Sequence, residues 1–159
     1  MDLPSAEIKE VAIIHGIPSI VKEFRGPYEE SPAYIEYVKE KLDDAGIDYI
    51  GDKVIGIYYD NPQGKDPKTL RCLAGVLTRD KKPVADPLMN FELKGKYLYT
   101  KIAGTPKDAA YVGYMRMYDY VRENDIELES DTGIQITSYE SGKYYSEIFM
   151  KLPEKNEDA

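Results

Sequence analysis

Two short segments of the chain repeat one another and restrict its possible folds. Residues 33–38 read AYIEYV and residues 110–115 read AYVGYM, so Ala, Tyr and Tyr recur at an offset of 77 positions. Each segment follows a glycine with a proline nearby and precedes an acidic stretch that ends in a turn. The chain is therefore expected to contain two copies of one structural unit, at about residues 8–79 and 90–152.

Each repeated segment has the periodicity of an amphipathic helix. In the first, Tyr34, Val38 and Leu42 recur at the spacing that lines one helix face. Gly46 is expected to end this helix, since glycine commonly follows a last helical turn. In the second segment an equivalent stripe is formed by Tyr111, Met115, Tyr118 and Val121.

Segments with strand character flank both helices, so that each half reads β-α-β-β. In the first half they are residues 11–17, 19–24, 54–60 and 70–78, and in the second half 96–103, 133–139 and 144–152. The connectors NPQGKDP and ESGK have the composition of turns, and ESGK is typical of a tight hairpin.

We therefore predict an α+β domain built from tandem β-α-β-β repeats. The strands are expected to form one mostly antiparallel sheet with two long helices on one face and pseudo-twofold symmetry, because neither helix can bury its apolar stripe alone. Residues 1–152 would form this single domain, with 80–90 linking the halves. The polar residues 153–159 are expected to be a disordered tail.

Charge and composition disfavour several classes of function. The chain carries 29 acidic and 21 basic residues, whereas nucleic-acid binding is driven by Lys and Arg, so no direct nucleic-acid partner is expected. No apolar run approaches the roughly 20 residues of a membrane span, and the N-terminus lacks a secretion signal, which predicts a cytoplasmic protein. Cys72 and His15 are the only residues of their types, so we expect no metal or cofactor.

Tyrosine is unusually frequent, with 15 Tyr against 3 Phe and no Trp. Since tyrosine combines an apolar ring with a hydroxyl that needs a partner, a tyrosine-rich zone suits a wet cavity. The same residues could instead cover the edge of the core with their hydroxyls in water. If a cavity exists, a groove between the two helices, floored by the sheet, is its natural place. Tyr58, Tyr111 and Tyr114 are candidates for its walls.

Glu147 interrupts the apolar last strand. Alternation puts two sets on opposite faces, Tyr145, Glu147, Phe149 and Lys151 on one and Ser146, Ile148, Met150 and Leu152 on the other. The second set is the better core face, which favours a solvated Glu147. Within an aromatic pocket, however, this carboxylate would attract a cation or act as a general acid or base.

Five motifs in order resemble a known family: FRGPYEE, VIGIYYDNP, TLRCLAGVL, KGKYLYTKIAG and SEIFMKL. They are similar to the GyrI-like small-molecule-binding proteins, which include DNA gyrase inhibitor proteins and the effector-binding domains of Rob-type and BmrR-type transcription regulators. The resemblance spans roughly residues 8–152. It implies a tandem β-α-β-β fold whose central groove binds hydrophobic, often cationic compounds.

The resemblance also implies site residues. The family's pocket acid near the start of the last strand corresponds to Glu147, and another acid of many members is replaced here by Gln135. That departure implies a weaker attraction for cations and more room for neutral, polar ligands. Regulators with this domain also carry a helix-turn-helix, for which this chain has no spare residues, so a stand-alone domain is expected.

Several functions are compatible with these observations. The first is a domain that senses or sequesters a hydrophobic or cationic, aromatic small molecule, with Glu147, Gln135, Tyr58, Tyr111 and Tyr114 as ligand-binding residues. The second is a hydrolase of electrophilic natural products, in which Glu147 activates water and a tyrosine donates to the leaving group. The third is a module that binds a protein partner. Haem binding, as in SOUL proteins, would depend on His15 and is not favoured.

Overall fold

The computed structural model describes residues 7–61 and 64–154. The first half comprises β1 (Lys9–Arg25), α1 (Ser31–Ala45), β2 (Ile50–Tyr58) and β3 (Arg71–Leu77), and the second half β4 (Leu88–Ala103), α2 (Pro106–Glu123), β5 (Gly133–Glu140) and β6 (Lys143–Lys151). The predicted α+β class and the order of elements are confirmed. Residues 155–159 of the predicted tail, residues 1–6 of the predicted domain and residues 62 and 63 of the NPQGKDP connector lie outside the described residues.

The six strands close into a barrel, whereas the prediction was one mostly antiparallel sheet without closure. Every neighbouring pair is antiparallel, in the order β1-β3-β2-β5-β6-β4, and β4 returns to pair with β1. Closure depends on the 17-residue β1, which pairs with β4 from Lys9 to Lys22 and with β3 from Ser19 to Arg25. Strand β1 is therefore long enough to pair with both β4 and β3, which closes the barrel.

The predicted break between residues 17 and 19 is absent. Pro18 lacks an N–H donor, but its carbonyl accepts a hydrogen bond from the Thr78 N–H at 3.1 Å, and the strand continues through it. The irregularity lies earlier, where β1 has two extra residues relative to β4 between Ile13 and Ile17. This bulge lets one long strand bend around the barrel.

Both helices lie on the outer surface of the barrel. Helix α1 packs on β1 and β3, and α2 packs on β4 and β6, so the seam between β2 and β5 lies between the helices. Gly46 ends α1 in the left-handed conformation at φ 68°, as predicted. Within the described residues, no helix combines the length and apolarity needed to cross a membrane. The pseudo-twofold relation between the halves stays a prediction.

The strands are buried on both sides. The barrel interior is filled from all six strands by Val21, Ile55, Ile57, Leu73, Leu77, Leu93, Tyr97, Ile134, Ile136 and Phe149. Outside the barrel, one cluster under α1 includes Ile20, Val38 and Leu42, and another under α2 includes Met117, Ile148 and Met150. Both faces of β6 are therefore core faces: Phe149, on the same face as Glu147, is only 3% exposed.

Candidate functional site: an interhelical groove lined with tyrosines

The predicted site residues lie on two sides of the sheet. Gln135 is flanked on β5 by Ile134 and Ile136, whose side chains fill the barrel, so Gln135 itself faces outward. Glu147 is flanked on β6 by Ser146, which contacts Gln135, and by Ile148, which packs under α2. Glu147 therefore points into the barrel, and the sheet separates it from Gln135.

The outer face of the β2–β5 seam forms the floor of a groove between the helices. Here Gly56 pairs with Gln135, and Tyr58 pairs with Gly133. Two of these four floor residues have no side chain. The backbone of the seam is therefore open to rings that approach from above.

Two tyrosines take up this space. A methyl group on Gly133 would lie 2.6 Å from the Tyr114 ring, and one on Gly56 would overlap the Tyr58 hydroxyl. Tyr114 reaches the floor from α2, whereas Tyr58 folds back along its own strand. The groove is filled by the protein's own phenol rings.

The Tyr114 hydroxyl is buried and has no hydrogen-bond partner among the described residues. Its burial raises the pKa of Tyr114 well above the ordinary value, and the nearby phenols of Tyr58, Tyr118 and Tyr28 raise it further. The hydroxyl is thus a neutral donor without an acceptor, an arrangement that costs about 1–3 kcal/mol.

Tyr28 and Tyr58 continue the aromatic lining toward the start of α1. Their rings lie 4.6 Å apart, and the Tyr58 hydroxyl is 3.4 Å from Ser31 Oγ. The Tyr28 hydroxyl donates to the carbonyl of Asp60 and accepts from the Asp60 N–H at 3.1 Å. Burial raises the pKa of Tyr28 to about 12, so this phenol also stays neutral at physiological pH.

The polar groups beside the rings are uncharged. Gln135 Nε2 donates to Ser146 Oγ at 3.3 Å and lies 3.5 Å from the carbonyl of Pro106 at the start of α2. The Thr137 hydroxyl lies 3.3 Å from Ser146 Oγ. The groove therefore offers phenol, amide and hydroxyl groups to a ligand.

Glu147 belongs to a different environment inside the barrel. It is half-buried, and Oε2 accepts a hydrogen bond from the Tyr99 hydroxyl at 2.8 Å. Its neighbours on the adjoining strands are Lys101 on β4 and Ile136 on β5. Burial, followed by the hydrogen bond to Glu147 and its charge, raises the pKa of Tyr99.

Tyr111 lies outside the groove, with 72% of its surface exposed on α2. The structure thus brings together three of the five predicted residues, Tyr58, Tyr114 and Gln135. It adds Tyr28 and the floor glycines, which were not predicted. The floor glycines could not be predicted because they form a floor only when β2 pairs with β5. These two strands are far apart in sequence.

Among the described residues, side chains that could bind a metal or undergo redox chemistry do not cluster at this groove. Among residues 7–61 and 64–154, no group of three or more His, Cys, Asp or Glu side chains could hold a metal ion. Cys72 is buried beside Phe24 and Ala74, and burial raises the pKa of its thiol to about 12. His15 is exposed on the bulged part of β1.

Comparisons with known proteins relate the chain to small-molecule-binding domains. The sequence profile of the GyrI-like small molecule binding domain matches residues 14–153. No protein of curated function matches the chain by sequence.

Solved structures share the fold at low identity. The C-terminal domain of EcmrR is 13% identical with a TM-score of 0.67, covering 98% of this chain and 100% of that domain. EcmrR in its complex with DNA is 12% identical with a TM-score of 0.65; the match covers 94% of this chain and 58% of EcmrR. SAV2435, solved with bound tetraphenylphosphonium, is 11% identical with a TM-score of 0.59, covering 94% of each chain.

Proposed function

Because the chain belongs to the GyrI-like small-molecule-binding family, we propose that it binds a small molecule in the groove between α1 and α2, in order to sense or sequester it. The observation that carries this proposal is the buried Tyr114 hydroxyl, which has no hydrogen-bond partner in residues 7–61 and 64–154. A ligand with a hydrogen-bond acceptor satisfies this donor when it enters the groove. Part of the cost of the unsatisfied hydroxyl is thereby recovered on binding.

Opening the groove breaks few hydrogen bonds. Tyr114 loses no hydrogen bond when its ring turns, and the Tyr58 hydroxyl has only the long 3.4 Å contact with Ser31 Oγ. Once the rings turn, the glycine floor and Gln135 become accessible. The two phenols then serve as walls for an aromatic ligand, which they contact through large ring surfaces.

The lining favours an uncharged aromatic ligand with a hydrogen-bond acceptor. Gln135, Ser146 and the groove tyrosines carry no charge at physiological pH, and Glu147 lies beyond the sheet. Burying a cation here would leave it without a counter-charge, which is costly. The proposal therefore differs in ligand charge from the tetraphenylphosphonium bound by SAV2435.

The hydrolase alternative has less support. It requires Glu147 and a tyrosine to act on one ligand, and the phenol beside Glu147 is Tyr99, which already donates to it. A raised pKa also makes Tyr99 a poorer proton donor to a leaving group. The proposed groove does not include Glu147 or Tyr111. The sequence had predicted the first as a ligand anchor and the second as a wall.

A thermal-shift screen of neutral aromatic ketones and amides, with tetraphenylphosphonium in parallel, tests the proposal. A compound present at 100 times its Kd should stabilise the protein by about 2.7 kcal/mol. Neutral acceptors should stabilise the parent, Gln135→Glu should shift the preference toward the cation, and Glu147→Gln should change neither. If no compound stabilises any variant, or if Glu147→Gln abolishes binding, the proposed groove is wrong.

A further inference from the structure

One side of the long strand β1 has no partner over the first half of the strand. Strand β4 pairs with β1 from Lys9 onward, whereas β3 pairs with it only from Ser19. Between Lys9 and Ile17, no strand among residues 7–61 and 64–154 pairs with the side of β1 that β3 occupies further along. We call this side the open edge. Because a strand directs its N–H and C=O groups to both sides, the open edge offers backbone groups to a further strand.

The barrel holds the open edge in an extended conformation. Val11, Ile13 and Ile17 pack against the core cluster inside the barrel, whereas Ala12 and Ile14 are exposed. The segment is therefore paired on one side and backed by the core on one face. An added strand would lose little of its binding energy to ordering β1.

Ile14 is the side chain that an added strand would cover. Its surface is 72% exposed, and it ends the uncharged run VAII at residues 11–14. Native proteins commonly protect open edges with charged side chains or proline. Here Lys9 and Glu10 precede the run and Pro18 follows the bulge, so the run itself lacks this protection.

A second copy of the chain supplies a matching edge. When two identical strands pair antiparallel about a twofold axis, residues at equal distances from the axis lie opposite each other. With the axis at Val11, Ile14 of each copy faces Ile8 of the other, which packs with the apolar cluster under α2. Glu7 then lies opposite His15, so a carboxylate meets an imidazole that can donate to it. Within the regular part of β1 before the bulge, only this axis pairs Ile14 with another isoleucine.

We propose that the open edge is a dimerisation site, at which β1 of one copy pairs antiparallel with β1 of a second copy about an axis at Val11. The sheet then runs from β6 through β4 and β1 into the second copy. A contact through one strand is smaller than the roughly 1,200–2,000 Å² of stable interfaces, so the dimer forms reversibly and depends on concentration. The net charge of −8 on each copy opposes association, and added salt strengthens it by screening this repulsion.

Sedimentation velocity over a range of protein concentrations tests the proposal with a matched pair of variants. Ile14→Lys puts a charge on the open edge, whereas Tyr111→Lys changes a side chain of equal exposure, 72%, on α2. The parent and Tyr111→Lys should form the same dimer, and Ile14→Lys should weaken it by about tenfold or more. Because both positions are exposed, the unfolding midpoints of the variants should stay close to that of the parent.

Disulfide cross-linking tests the register of the two strands. Proteins with Ile8→Cys and with Ile14→Cys are oxidised separately and as an equal mixture, with the parent and its buried Cys72 as the background. The mixture should give a cross-linked heterodimer, because the two positions face each other across the axis. Each variant alone should give only the background, because its cysteines lie far from the axis.

Three results would overturn the proposal. A parent that sediments as a monomer at every concentration would leave the open edge to an extended segment of another protein. Dimerisation of Ile14→Lys equal to that of the parent would place the contact on another surface. Cross-linking of one cysteine variant with itself as efficiently as in the mixture would exclude the axis at Val11. None of these measurements involves a ligand in the groove, so the outcome is independent of the proposed function.

Discussion

The tyrosine residues of this protein differ in the partners of their hydroxyls. The Tyr97 hydroxyl donates to the carbonyl of Lys94 at 2.9 Å, and that of Tyr99 donates to Glu147. The Tyr114 hydroxyl is buried and has no such partner among the described residues. The abundance of tyrosine predicted a polar cavity, but only the contacts distinguish a structural phenol from one that is available to a ligand.

Tyr114→Phe and Tyr97→Phe form a matched pair that tests this distinction. Removing the unpaired Tyr114 hydroxyl should leave the free energy of unfolding unchanged or raise it by up to about 1 kcal/mol, because no hydrogen bond is lost. Removing the Tyr97 hydroxyl should lower it by about 1 kcal/mol, because the Lys94 carbonyl loses its donor. Urea denaturation measures both, and a larger loss for Tyr114→Phe would show that its hydroxyl is bonded in solution.

At the level of elements, the sequence of the β5–β6 hairpin could have predicted that Gln135 and Glu147 face opposite sides of the sheet. Ser141 and Gly142 both have positive φ, at 51° and 78°, and form the tight turn that ESGK predicted. A two-residue turn pairs Glu140 with Lys143, and counting back along both strands pairs Gln135 with Ile148. Directly paired residues share a face, so Gln135 had to face away from Glu147.

The glycine floor of the groove gives a second prediction at this scale. Gly133→Ala should lower stability by about 1–3 kcal/mol, because the new methyl group would lie 2.6 Å from the Tyr114 ring. Gly51→Ala, on β2, is the control: the nearest atom would be 3.9 Å away, so its effect should stay within about 0.5 kcal/mol. Equal losses in the two variants would contradict the placement of Tyr114 over the seam.

Asp60 connects the end of β2 to the start of β3 and should make stability depend on pH. Its carboxylate accepts hydrogen bonds from the Arg71 side chain at 2.9 and 3.2 Å and from the Arg71 N–H at 2.9 Å. The Arg71 side chain is the largest of the causes that hold the pKa of Asp60 well below its ordinary value. Since the folded-state pKa is depressed, this stability is present above the unfolded pKa of about 3.9 and is lost as the pH falls below it.

Asp60→Asn should therefore be less stable than the parent at pH 7, and the gap should narrow below about pH 4. Asp48→Asn is the control, because the ion pair of Asp48 with Arg79 is exposed on both sides and contributes little. Urea midpoints of the three proteins at pH 7 and pH 3 provide the measurement. A gap that is the same at both values would exclude the ionised Asp60–Arg71 contact as its source.

At the scale of the whole molecule, local patterns predicted the elements but not the closure of the barrel. Periodicity located both helices, and Gly46 marked the end of α1, because these signals lie within single segments. Closure requires β1 to pair with β4 over Lys9–Lys22 and Leu88–Tyr99. No local pattern encodes a contact between segments so far apart, and closure gives every strand an interior face and an exterior face.

The two faces give one sheet two different chemical environments. The exterior face holds the neutral groove over the β2–β5 seam, and the interior face holds Glu147 and the apolar core of the barrel. A small molecule that enters one does not contact the residues of the other.

Isoleucine methyl NMR with the best neutral compound from the screen tests the central claim most directly, because isoleucines report on both faces. Ile35 and Ile148 flank the groove on the outer face, whereas Ile55, Ile134 and Ile136 lie inside the barrel. Binding in the groove should shift the Ile35 and Ile148 signals most, and Gly133→Ala should weaken the effect. Shifts confined to the interior isoleucines would contradict the account and place the ligand inside the barrel.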